Sequence, residues 1–194
     1  MAQAKTRRPQ PDRYQLKVTL LGTRPAIWRR LVVPSDITLD EMHWIIQVTM
    51  PWGNSHLHQF HDSGGETRYS DPQFGLEDVL DESETRLDAI LRRPKDAIIY
   101  EYDFGDGWEH RVALEKVVAP SEDPKRSVEC TGGKRAAPPD DCGGVGGYEE
   151  LVAAVNDENH ERHEELLDWL GGEFDPEAFD VDEVNKRLKK AFRL

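Results

Sequence analysis

The chain has 194 residues, 37% of them hydrophobic and 32% charged, with a mean hydropathy of −0.72. That length and balance fit one water-facing domain able to bury a core without staples, and no internal repeat or low-complexity tract interrupts the chain. The net charge of −13 is concentrated: residues 149–183 hold fourteen acids and one base, and the remainder balances to zero. The start, MAQAKTRRPQPDRY, is basic with no apolar stretch behind it. It reads as a disordered arm over residues 1–13 rather than a secretory signal, so the cytoplasm is the expected compartment. No apolar run approaches the length needed to cross a bilayer, so no membrane partner is expected.

In chain order, YQLKVTLLG (14–22) alternates Tyr14, Leu16, Val18 and Leu20 on one face. AIWRRLVVP (26–34) alternates Ile27, Arg29, Leu31 and Val33, and GTRP between them predicts a β-hairpin. Thr38 with Glu41 fits a capping box, and Leu39, Met42, Ile45, Ile46 and Met50 keep helical spacing up to Pro51, predicting a helix over 38–50. HLHQFHD (56–62) reads as a short strand, SGGETRYSDPQFG as loop, and 84–92 as a short helix. DAIIYEYD (96–103) and WEHRVALEKVV (108–118) are strands joined by FGDG, a second hairpin. Residues 119–147 lose all periodicity to proline and glycine, so a long irregular loop is expected there. Helices are expected over roughly 147–156, 160–170 and 181–193, the last with Asp180 as N-cap. The layout predicts a single α+β domain over 14–194: a mainly antiparallel sheet with hairpins, one early helix and an acidic helical part over 148–194.

Three segments carry candidate chemistry. In an extended HLH, His56 and His58 share a face, a common way to offer two imidazoles to one metal. Further ligands would come from His110, Asp103, Asp106, Asp140, Asp141, Cys130 or Cys142. The plain alternative is that these histidines are packed, hydrogen-bonded core residues. In the second hairpin DFG is not a kinase magnesium motif, because no HRD or nucleotide loop accompanies it. Asp103 and Asp106 flank the turn and can cap its N–H groups. Trp108, His110, Val112 and Leu114 share a face, which puts His110 inward. The third segment, PPDDCGGVGGYEE (138–150), fits no phosphate-loop frame, and its aspartates repel anions. Either cysteine beside a histidine could act as a thiolate nucleophile, but the spacing of Cys130 and Cys142 is neither a redox pair nor a zinc knuckle.

Taken together, AIWRRLVVP, LDEMHWIIQVTMPWGNSHLHQF, YEYDFGDGWEHRVALE, CTGGKRAAPPDDCGG with GGY, and FDPEAFDVDEVNKRL resemble the plasmid pRiA4b ORF-3-like family over about residues 14–191. Members of that family are often labelled transposon resolvase TnpR-like. The resemblance implies a single α+β domain of unknown function, with His56, His58, Tyr102, Asp103, Gly105, Asp106, Trp108, His110, Pro138, Pro139, Asp141, Gly143 and Gly144 at the shared positions. No nucleophilic serine in an arginine-rich site and no arginine–histidine–tyrosine set is visible, and the acidic C-terminal third suits DNA poorly.

These readings define one candidate pocket, His56, His58, Asp103, Asp106, Trp108, His110 and Asp141, in a binding or accessory domain for a small ligand or a protein partner. A second class is a metal-dependent hydrolase, with His56, His58 and His110 as ligands of a divalent metal. A third is a DNA-transaction accessory.

Overall fold

The computed structural model describes residues 11–120 and 127–192. The expected basic arm lies outside the described residues as far as residue 10, and Arg13 already opens the first strand, β1 (Arg13–Leu20). Its alternation is the expected one, with Tyr14, Leu16, Val18 and Leu20 buried. β2 (Trp28–Pro34) pairs with it antiparallel and turns Arg29, Leu31 and Val33 inward. Arg29 is tolerated there because its guanidinium donates to the carbonyls of Thr49, Trp28 and Lys134 at 2.9–3.1 Å and lies over the Phe179 ring. Burial lowers its pKa to about 10.

Helix α1 (Leu39–Thr49) starts where Glu41 accepts the Thr38 N–H at 3.1 Å, one half of the expected capping box, and ends just before Met50 and Pro51. It buries Met42, Ile45 and Ile46. β3 is shorter than HLHQFHD, running His58–His61. β4 (Arg68–Ser70) and β5 (Val79–Asp81) are added beyond it, in segments without alternation long enough to read. One turn, α2 (Leu87–Ile90), leads to β6 (Ala97–Tyr102) and β7 (Trp108–Val118), which form the second hairpin.

Residues 119–147 depart from the expected loop. They contain a strand, β8 (Glu129–Lys134), paired with β2, and helix α3 (Gly144–Asn156) begins inside them. Periodicity fails here because Gly132 and Gly133 supply no side chains to alternate, and Gly133 must be small: a Cβ on it would meet the Phe179 ring at 2.5 Å. Helices α4 (His163–Leu170) and α5 (Val181–Phe192) follow, α5 packing on α1 and β8 and α3 on α4.

The sheet runs β5-β4-β3-β6-β7-β1-β2-β8, antiparallel except for β4 with β5. Eight strands, one early helix and a helical C-terminal part make the α+β domain expected from the sequence. Among the described residues no helix is long and apolar enough to cross a membrane.

Candidate functional site

The hairpin of β6 and β7 closes on Asp103, which adopts a left-handed φ of 58° and caps its own turn, its Oδ1 accepting the Gly105 N–H at 2.9 Å. One carboxylate oxygen is thereby committed to the turn and Oδ2 is left to face His56, whose Nε2 lies 3.6 Å away. Asp106, the other turn aspartate, reaches outward and accepts the Gly143 N–H at 3.1 Å. That bond ties the hairpin to the 138–144 segment.

The same segment is held from the other side. Trp52, just after α1, donates its indole N–H to the Pro138 carbonyl at 2.8 Å, and Asp140 Oδ2 accepts the Gly53 N–H at 2.9 Å. Gly144 closes the fit: with φ of 66°, any Cβ on it would stand 2.5 Å from the Asp106 carbonyl oxygen. These anchors bring Asp141 Oδ1 to 3.1 Å from His56 Nε2.

His56, Asp103 and Asp141 thus place one ligand atom each within 4.8 Å of the others, from three segments far apart in sequence. Among the described residues this is the group of histidine and acidic side chains able to hold a metal ion. Asp103 is buried, His56 partly so, and Asp141 exposed. His56 Nε2 is shielded from solvent yet makes no aligned hydrogen bond to either carboxylate. Its lone pair and the carboxylate oxygens converge on shared space rather than on each other. Asp106 and Asp140 add charge: together with burial, Asp106, Asp140 and Asp141 push the Cys142 thiol up to about 12. Burial raises Cys130 as well. Neither thiol is poised as a thiolate.

The histidines of the expected metal trio go to three different environments. His56 lies in a bend ahead of the pairing of β3, so strand alternation does not extend back to it. His58 points into the interior, its Nε2 3.0 Å from both oxygens of Glu82. His110 is fully buried, its Nδ1–H donating to the Trp108 carbonyl at 3.0 Å, its ring between Trp52 and Tyr100. Burial lowers its pKa to about 4. Trp108 is also core, stacked on Trp52.

Beside His58 is a buried polar network that the sequence reading did not single out. Gln47 donates from Nε2 to the Tyr100 hydroxyl at 3.0 Å, and that hydroxyl donates to His43 Nδ1 at 2.8 Å. His43 Nε2 donates to Asn54 Oδ1 at 3.0 Å, and the Asn54 N–H returns to Gln47 Oε1 at 3.1 Å, closing a ring. The pattern requires neutral His43, whose pKa burial and His58 lower to about 3. His43 also stacks on His58 with ring centroids 3.5 Å apart. The available signal was the i,i+4 spacing of His43 and Gln47 next to the apolar stripe of α1; nothing local marks Glu82.

Relatives match nearly the whole chain. An uncharacterized protein of Sinorhizobium fredii, y4hQ, is 37% identical over 183 residues, covering 90% of this chain and 89% of that protein. The crystal structure of a protein of unknown function from Methanosarcina mazei Go1, MM3350, superposes with a TM-score of 0.79 at 36% identity, over 89% of this chain and 97% of that one. The family model for plasmid pRiA4b ORF-3-like proteins matches residues 12–183, so the strands, the helices as far as the first turn of α5 and all three segments of the site lie within it, and the chain belongs to that family.

Proposed function

We propose that the chain is a binding domain for a divalent cation, held by His56 Nε2 and one carboxylate oxygen each from Asp103 and Asp141. The observation that carries this reading is the convergence of those three atoms without mutual hydrogen bonds, inside a cluster that also contains Asp106 and Asp140. One imidazole and two carboxylates suit manganese or zinc. The site opens into a cleft lined by Ser55, His56, Leu57, Asp103, Phe104 and Gly105. Three protein ligands beside an open cleft leave coordination positions for water, and this favours metal-assisted hydrolysis as the second reading.

Protein purified without chelator and titrated with manganese or zinc should take up one equivalent at neutral pH. Asp103→Asn, which keeps the turn-capping oxygen, and His56→Ala should each weaken uptake at least about tenfold, the loss of one charge-assisted ligand. Absence of stoichiometric uptake, with a melting temperature unmoved by either ion, removes the proposal and the hydrolase reading with it.

A further inference from the structure

A cavity of about 430 Å³, which His56 does not line, lies between α1 and the turns flanking β4 and β5. Its size is that of a small-molecule site. Four carboxylates line it, Asp40, Asp71, Asp81 and Glu82, and no lysine or arginine does. Two of them use Oδ1 to cap their own turns, Asp71 accepting the Gln73 N–H and Asp81 the Ser83 N–H, each at 2.8 Å, and Asp40 Oδ1 accepts from the Thr38 hydroxyl. Asp71 thereby keeps its Oδ2 without a hydrogen bond among the described residues, while the Asp81 carboxylate also draws on the Glu84 N–H.

Glu82 and His58 are both 4% exposed. His58 Nε2 stands 3.0 Å from both Glu82 oxygens, so a single imidazole N–H is shared between two carboxylate oxygens. His58, which lines the same cavity, has its Nδ1 buried with no hydrogen-bond partner. Two aromatic walls complete the space: Phe74, edge-on to His58 with centroids 5.3 Å apart, and Trp44, which is 49% exposed. A large indole left half in water beside a cluster of negative charge is a ready face for a cation.

The spacing says which cation. No three of these acidic and imidazole groups bring ligand atoms within 4.8 Å of one another, the separation that His56, Asp103 and Asp141 achieve. The cavity is too wide to close around one metal ion and wide enough for several non-hydrogen atoms. We infer that it binds a small organic cation bearing an ammonium or guanidinium group, the charge held among the carboxylates of Glu82, Asp71 and Asp81, the carbon body against Trp44 and Phe74.

The test is calorimetric titration of the full chain at low salt, with EDTA present so that divalent ions play no part. The probes are putrescine, agmatine, lysine blocked at both its amino and carboxyl groups, and succinate as an anion of similar length. Saturable binding of at least one cation and none of succinate is expected. Asp71→Asn and Asp81→Asn retain the capping oxygen and should each weaken it roughly tenfold, as should Trp44→Ala on the exposed wall. Tighter binding of blocked lysine than of the free amines assigns the cation to a protein side chain, and the reverse order to a free metabolite; either upholds the inference. No saturable binding of any cation, equal binding of succinate, or binding that all three variants leave unchanged overturns it.

Discussion

His110 shows how a single position can be read and still mislead. Alternation along β7 put it on the apolar face, and it is there, fully buried. Burial turns it from a metal-ligand candidate into a neutral core residue, its one proton donated to the Trp108 carbonyl. The consequence is a measurable pH dependence. Its pKa falls from about 6.5 in the unfolded chain to about 4 in the fold, so on acidification the unfolded chain takes the proton first. The stability His110 contributes is full above about pH 6.5 and is lost as pH drops toward 4, by up to about 1.4 kcal/mol per pH unit. His43, lowered to about 3, adds a loss of the same sign that continues to lower pH. Urea unfolding between pH 7 and 4 should therefore show a slope that His110→Leu reduces by close to one proton, whatever that substitution does to absolute stability. An unchanged slope would mean that His110 titrates normally in the fold.

Among the elements, the 127–147 stretch departs most from its sequence reading. Proline and glycine hid a strand and the start of a helix, because here glycine is required by close approach rather than by a turn. Gly133 admits the Phe179 ring, and Gly144 admits the Asp106 carbonyl. Gly144→Ala combines that collision with a left-handed φ and should cost about 1–3 kcal/mol of stability. It should also lower manganese or zinc affinity, since relief of the clash moves Asp141 away from His56; wild-type affinity would show that this contact does not position the site. β8 is held by α5 through Asn185, which accepts the Cys130 N–H at 2.9 Å and donates to the Cys130 carbonyl at 2.8 Å. Asn185→Ala leaves both backbone groups unpaired and should lower the urea midpoint by the equivalent of about 1–3 kcal/mol. A shift under a few tenths of that would show the β8–α5 seam to be water-accessible.

Across the whole molecule, the early helix, the hairpin of β6 and β7 and the 138–144 segment meet at one point although some ninety residues separate the first from the last. Metal bound there would link all three to global folding, so a saturating ion should raise a single unfolding transition, by about 2.7 kcal/mol at a hundredfold excess over Kd. A separate low-temperature transition would instead mark the site as a local unit. The charge distribution carries its own expectation: residues 149–183 contribute −13, and retention of duplex DNA at about 50 mM salt is not expected of such a chain. By itself the sequence determined the two hairpins, the early helix, the three C-terminal helices and the inward faces of the long strands. Those depend on periodicity and capping, which act between residues a few positions apart. Only the tertiary structure decided that His56 joins Asp103 and Asp141 while His58 joins Glu82 and His43. Strand pairing begins only at His58 and His56 lies in a bend ahead of it, so alternation does not link the two histidines, and the partners of each arrive from parts of the chain whose approach no local pattern encodes.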